Sequence, residues 1–396
     1  YDQKAAIMDQ IEGIISDPEV EGTGIKAALT TLSQALADFS QSPYQETNAN
    51  IVMNAFKGVT QVLNEYDANL KTLMEQTKND LSVAVEDINT KLDQLSELNS
   101  SIAHEIFSNN DYDGVNYGPN DLLDQRNVIL DDLSRYGDVQ VTDLEDGKIQ
   151  VKINGKVVVD ASGASYTNDK LNIGSDGVTL TWNSNNQNAN LGAGAIRGFT
   201  DMLTGADPIN AGIPYYQNKM DNFAQTLADV FNNKIHADDP DFPDKYKFLL
   251  QGGVDGKVTA GNISISDQWA DDVSYIIRKQ NPDGELDNQD ILDMKAAFEQ
   301  DFNFGGEYTG TFSEFITSVT NTLGSGIKTN SARMSASLAI AESADSERMG
   351  VSGVSLNEEG ISMMTYNKAY QALGRLMTTM DEQLDMIINK MGIVGR

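Results

Sequence analysis

Cysteine is absent from the 396 residues and histidine occurs twice. The first absence excludes disulfide frameworks, thiolate zinc sites and cysteine nucleophiles, and it is as compatible with export as with retention in the cell. The second leaves little for imidazole chemistry: His104 has no His or Cys four residues on, Glu105 points to another helix face, and His236 ends a helical stretch without a partner pattern, so neither suggests a metal pair. Both read as surface or seam residues. Basic side chains are scarce, 28 Lys and Arg against 59 Asp and Glu. The formal net charge of −31 argues against nucleic acid or an anionic membrane surface as partner, because like charges repel. No stretch approaches the ~18 consecutive apolar residues of a membrane-spanning helix.

The motifs that could carry chemistry are incomplete. Asn109, Asp111, Asp113 and Gly114 place oxygen ligands as in the front half of a calcium loop, but Asn120 stands where a bidentate Glu is needed. Gly192, Gly194 and Gly198 lack the spacing of a phosphate-binding turn and suggest a tight corner between strand and helix. No nucleophile elbow occurs, and carboxylates are so numerous that a glycosidase pair cannot be inferred from their abundance. No catalytic residue, cofactor or metal is expected.

Proline is rare, eight in all, and its distribution divides the chain. Ile7, Met8, Ile11, Ile14 and Ile15 make one helical face that stops at Asp17-Pro18, and Ile25, Leu29, Leu32, Leu36 and Phe39 make the next, ending before Ser42-Pro43. From Glu46 to Phe107 there is no proline and one glycine, Gly58, and Leu81, Val85, Ile88, Leu92, Leu95, Ile102 and Ile106 keep three-and-four spacing, predicting a very long helix in coiled-coil packing. Asn99 replaces an apolar residue in that seam, where a polar group usually sets register. Another helix is expected up to Arg135. The period then becomes two: Val139, Val141, Ile149, Val151, Ile153, Val157 and Val159 alternate with polar residues, with turns at Asp146-Gly147 and Asn154-Gly155. Helix resumes near Pro214, Phe248 to Trp269 reads as strands, and short helices are expected at Asp290 to Phe302, Phe312 to Leu323 and Ile327 to Met349.

The resulting fold class is α+β: an elongated helical rod or coiled-coil domain formed by both chain ends, with an inserted β-rich domain and a long amphipathic carboxyl-terminal helix. At about 100 to 200 residues per domain the length allows two or three domains. The rod's amino-terminal part spans 1–138 and the first β-rich part 139–193. A helix returns to the rod over 194–237, the second β-rich part covers 238–310, the rod's carboxyl-terminal part 311–352, and the terminal assembly helix 353–396.

That last segment carries the clearest signal. Leu356, Met363, Tyr370, Met377, Leu384 and Met391 recur every seventh residue, and Tyr366, Leu373, Met380 and Ile387 fill the second seam position, with Glu359 as the break. Such a stripe is most often core, but no folded segment follows it, and its many flexible thioethers suit a surface that repacks against more than one partner.

Two stretches then support a resemblance. Gly353-Val354-Ser355-Leu356-Asn357-Glu358-Glu359, with Tyr366-Asn367-Lys368-Ala369-Tyr370-Gln371-Ala372, is similar to the carboxyl-terminal signature of flagellar axial proteins. Asn120-Asp121-Leu122-Leu123-Asp124-Gln125-Arg126-Asn127 resembles an internal motif of the axial proteins that join hook to filament, with Asn127 where Asp is usual. Weaker matches at Gly194 to Phe199 and Pro214 to His236 extend the likeness over most of the chain. The resemblance implies a structural, non-enzymatic subunit of the extracellular bacterial flagellum. Its implied partners are the hook protein, the second junction protein, copies of itself in a ring, and an export chaperone that covers the terminal helix before secretion through the flagellar apparatus. Another axial protein, either the second junction protein or a flagellin, and a secreted adhesin working through its β-rich insertion remain as alternatives, with a carboxylate hydrolase behind them. The chain begins at Tyr1 rather than Met and without a basic, apolar leader. The family's amino-terminal segment is therefore expected to be missing before Tyr1, leaving the terminal helix without its companion and so disordered, captured by neighbours or irregularly folded.

Overall fold

A 64-residue helix, α3 (Glu46–Asn109), organises the first part of the molecule. Gly58 has open space where a side chain would stand, so nothing interrupts the helix over the roughly 95 Å that 1.5 Å per residue implies. The computed structural model describes residues 1–15, 23–109, 119–161, 167–235, 248–253, 256–277, 288–353 and 355–390. His236, Met391, the acidic loop at 238–243 and positions 111–114 of the calcium-like stretch lie outside them. The chain forms two compact units, Tyr1–Met334 and Ser335–Arg396.

In the first unit α1 (Asp2–Ile15) and α2 (Ile25–Gln41) bury the apolar faces their spacing predicts and pack on the proximal half of α3. α5 (Gly194–Thr204) and α6 (Ile213–Asn232) also pack on α3, and Pro214 stands in the first turn of α6, where its missing N–H costs nothing. Gly194 opens α5 with φ of +82°, and a Cβ there would lie 2.2 Å from the Tyr136 carbonyl carbon. Only glycine fits that approach, but α5 follows a loop and not the expected strand, since the preceding strand ends at Trp182.

The distal half of α3 meets α4 (Asn120–Ser134) and small antiparallel sheets. β1 (Val139–Asp143), β2 (Ile149–Ile153), β3 (Lys156–Asp160) and β4 (Thr167–Asn168) form one sheet in that order, with the Asn154-Gly155 turn between β2 and β3. Ile149, Val151 and Ile153 are buried in alternation as predicted, but β3 buries both Val158 and Val159, because a bulge between Val151 and Lys152 shifts its register. β5 (Leu171–Ile173) pairs with β6 (Leu180–Trp182).

The extent of strand and the covering of the seam differ from the sequence expectation. Among the described residues between Phe248 and Trp269, β7 (Leu250–Gln251) and β8 (Ser264–Ile265) alone pair, and Trp269 sits on a short helix, α7 (Asp267–Asp271), capped by Ser266. After α8 (Gln289–Ala296) comes one further hairpin, β9 (Phe302–Phe304) with β10 (Tyr308–Gly310). The molecule is mostly helical with small antiparallel sheets. Leu81, Val85, Ile88, Leu92 and Leu95 are buried as the seam predicts, and among the described residues strands and α4 pack on this half of α3: heptad spacing marks a buried stripe without specifying what buries it.

Asn99 shows how the sheets attach. Its Nδ2 donates to the Ile149 carbonyl at 3.0 Å, and its Oδ1 accepts from the Ile149 amide at 3.2 Å. Asn89 does the same for Leu171, both bonds 2.9 Å. On α6, Asn232 accepts from the amides of Leu249 and Leu250 and donates to the Leu250 carbonyl. In each case a helix side chain satisfies backbone groups of a short strand or its approach. Arg126, from the Asn120 motif, is buried and donates to the Gly147 carbonyl at 2.7 Å, holding the turn before β2. Tyr136 donates to Asp87 at 2.7 Å, and burial together with that carboxylate pushes its hydroxyl up to about 12.

α9 (Phe312–Ser352) is a single helix where two were expected. A glycine inside a helix costs only about 1 kcal/mol, and Phe312, Phe315, Ile316, Val319 and Leu323 are buried before Gly324. Phe315 stacks on Phe304 at 4.3 Å, and Phe56 of α3 meets Phe231 and Trp269 edge-on at 5.0 and 5.3 Å, so one aromatic cluster joins α3, α6, α7 and α9. Within the first unit α9 also packs along α1: Asn330 donates to the Tyr1 carbonyl at 3.0 Å, and a Cβ on Gly326 would reach within 3.4 Å of the Met8 methyl.

Replacing Asn99 with Ala strands two buried backbone groups, a cost of about 3 kcal/mol. Urea unfolding followed by circular dichroism should show that loss, and a change below about 0.5 kcal/mol, the range of ordinary surface substitutions, would overturn this role for Asn99. A second expectation concerns Asp221 on α6, whose Oδ1 accepts from the Ala260 amide at 2.8 Å. Burial, aided by Asp67, holds its carboxyl above the usual range against that hydrogen bond and against Lys257 and Lys71. A raised folded-state value means that stability is fullest with Asp221 protonated and declines as pH rises through that value. Asp221→Asn keeps the acceptor, so it should raise the melting temperature at neutral pH and flatten this decline. A lower melting temperature would contradict the assignment.

Candidate assembly surface

The terminal helix α10 (Leu356–Asp385) starts from a local signal. Ser355 caps it, its hydroxyl accepting from the Glu358 amide at 3.3 Å, and Glu358 and Glu359 lie in the first turn, where the helix dipole favours negative charge. Before it, the Gly353 amide donates to the Met349 carbonyl at 2.8 Å, and a Cβ on Gly353 would come 2.3 Å from that oxygen. Glycine is thus required where α9 ends. After Asp385 the backbone continues as one π-helical turn, Met386–Lys390.

Instead of the disordered or irregular segment expected, residues 356–385 form a regular helix. The reason is local: a serine cap, then Leu, Met, Glu, Gln, Ala and Lys with no proline, a composition of strong helix formers. The sequence-predicted residues Leu356, Met363, Tyr366, Tyr370, Leu373, Met377, Met380, Leu384 and Ile387 all lie on it or on the turn that follows, and every one is exposed, from 49% at Leu384 to 88% at Leu356. No residue of α10 is buried. The stripe rotates by about 20° per heptad around a straight helix, because 3.6 does not divide seven.

Further exposed apolar residues fall outside the heptad positions: Ile361, Leu376 and Ile388 on or just after α10, and Leu338, Ile340, Met349 and Val351 on the second half of α9. Leu376, three residues from Leu373, widens the stripe, and a period of 3.6 instead of 3.5 would have found it. In the first unit an open groove of about 800 Å³ lies between α1, the turn at 206–211 and α9, lined by Ser318, Thr322, Ser325 and Thr329 and rimmed by Ile209, which is 92% exposed. Nothing in the periodicity pointed to it. Asp207 holds that turn by accepting from the amides of Ile209 and Asn210, both at 2.9 Å.

Among the described residues no three of His, Cys, Asp and Glu are placed to hold a metal ion, and no helix is long and apolar enough to cross a membrane. His104 is exposed on α3.

Residues 8–244 match the family model described as the helical domain of the flagellar hook-associated protein FlgK, and residues 346–390 match the carboxyl-terminal model of the flagellar basal body rod FlgEFG proteins. The second match covers α10. The chain is similar to flagellar hook-associated protein 1 of Bacillus subtilis (strain 168), 26% identical over 432 aligned positions that cover all of this chain and 82% of that protein. Among solved structures it is similar to the flagellar hook junction protein FlgK from Burkholderia pseudomallei, with a TM-score of 0.46 and 19% identity, covering 59% of this chain and 41% of that one.

A helix with no buried face has only its own hydrogen bonds to keep it. In a dilute solution of the free chain, amide exchange across Met363 to Asp385 should therefore outpace exchange across the buried seam of α3 by several orders of magnitude. Slow exchange in α10 would show that its stripe is already covered.

Proposed function

Because the chain belongs to the FlgK family of hook-associated proteins, which are structural flagellar components and not enzymes, we propose that it works at the junction of hook and filament in the extracellular flagellum, assembling with the hook and other axial proteins. The observation that carries this reading is the long apolar stripe of α10, exposed at every described position and lying within the stretch similar to flagellar rod proteins. An apolar side chain taken out of water contributes about 1.5 to 3 kcal/mol, so nine such residues supply ample drive for association even after its entropic cost. Solvent exposure of this many large apolar groups on one helix marks an interaction face.

The finer assignments follow from the same face. Copies of the chain form a ring in which the stripe packs against neighbouring axial helices, with the second junction protein as the next subunit outward. Before export, a cytoplasmic chaperone covers Leu373, Met377, Met380 and Leu384 and so prevents premature association. In the assembled state the helices of both chain ends serve as the rod, and the small sheets on α3 lie toward the outside as an insertion. Tyr366 and Tyr370 suit this use, since aromatic rings with a polar tip are enriched at interfaces.

Replacing both Leu373 and Met380 with Asp puts two charges into the seam without touching any buried residue of the first unit. Joining to purified hooks and binding of the export chaperone should each fall by at least about tenfold, since burying unpaired charge is strongly unfavourable, while circular dichroism and melting of the helical core stay unchanged. Undiminished joining by this variant would remove the stripe from the assembly surface.

A further inference from the structure

Methionine is the chain's sole sulfur-bearing side chain, and it partitions sharply between the two units. Of its 14 methionines, Met8, Met53, Met202, Met220 and Met294 are buried in the first unit, and Met74 and Met334 are half-buried there. In the second unit every described methionine is open to solvent: Met349, Met363, Met364, Met377, Met380 and Met386, between 54% and 70% exposed. Three of these, Met363, Met377 and Met380, are seam positions of α10. A thioether is oxidised according to its access to solvent, and with no thiol in the chain to react first these sulfurs are the most accessible soft nucleophiles it has.

We infer that Met363, Met377 and Met380 form an oxidation site, at which conversion to the sulfoxide by a peroxide switches off the assembly face of the free chain. The sulfur lone pair attacks one oxygen of hydrogen peroxide, the O–O bond breaks, and proton transfer to the departing oxygen leaves water. The sulfide is oxidised by two electrons and the peroxide reduced by two. The product replaces a flexible apolar group with a polar one at three places along a stripe whose use requires removal from water, and a sulfoxide oxygen without a hydrogen-bond donor in a closed seam opposes burial. Burial shields Met8, Met53, Met202, Met220 and Met294, so the core of the first unit survives the same exposure. The consequence for assembly rests on the function proposed above, whereas the selectivity rests on exposure alone.

The test treats the full chain with hydrogen peroxide and maps oxygen uptake by peptide mass spectrometry over time. Met363, Met377 and Met380 should be oxidised at least about tenfold faster than Met202, Met220 and Met294, and comparable rates would overturn the inference. The treated chain should join purified hooks at least about tenfold less well, with recovery after incubation with methionine sulfoxide reductases A and B, one for each sulfoxide epimer. Treated chain that joins as well as untreated chain would also overturn it. A triple variant, Met363→Leu, Met377→Leu and Met380→Leu, keeps the stripe apolar and should retain joining after peroxide; loss equal to that of the parent would place the sensitive group elsewhere. If the triple variant does not join even untreated, the reductase arm decides, with recovery supporting the switch and no recovery refuting it. Untreated parent chain that ignores hooks would count against the proposed function, and the oxidation map would still decide the site.

Discussion

Short strands cannot satisfy their own backbone, and the architecture of the first unit follows from where the missing hydrogen bonds are found. The two-stranded sheets, of strands only two or three residues long, are marginal alone in water. Asn89 and Asn99 on α3 and Asn232 on α6 supply both a donor and an acceptor to backbone groups of strands or their approaches. Side-chain amides are suited to this, since they carry the same pair of groups as a peptide. The long helix is therefore both the hydrophobic floor for the sheets and part of their hydrogen bonding.

The second unit inverts that arrangement. Its backbone groups are satisfied within α10 and the end of α9, while the side chains that ought to be buried are not. The described part of the first unit thus covers its apolar surface and borrows polar partners, whereas α10 makes its hydrogen bonds within itself and leaves its apolar side chains exposed. Such a division suits the assembly role proposed above, in which other molecules complete the apolar surface of α10. The acidic balance, −31 overall, opposes unspecific clustering of such chains.

Much of this was legible from residues alone, and where it was not the cause is distance along the chain. The apolar faces of α1, α2 and α3 and the buried alternation of β2 follow from spacing within a few residues. Asn99 stood out as a polar residue in a seam, but its partner Ile149 is fifty residues away, and no local pattern identifies it. The β3 bulge depends on pairing with β2, and the continuity of α9 through Gly324 and Gly326 depends on packing against α1 and the aromatic cluster. The stripe of α10 was readable as a stripe. Its regular helical course follows from the Ser355 cap and the helix-forming residues after it, signals that the spacing of the stripe does not contain. The groove beside Ile209 was invisible, since residues from α1, a turn and α9 line it together.

The rotation of that stripe has a geometric corollary. A seam that precesses around its own axis cannot be matched along its whole length by a straight, flat surface. Contact would run out after two or three heptads, leaving either the Leu356 end or the Ile387 end uncovered. A companion that winds in the same left-handed sense matches such a seam along its whole length, whereas a straight, flat surface matches only part of it.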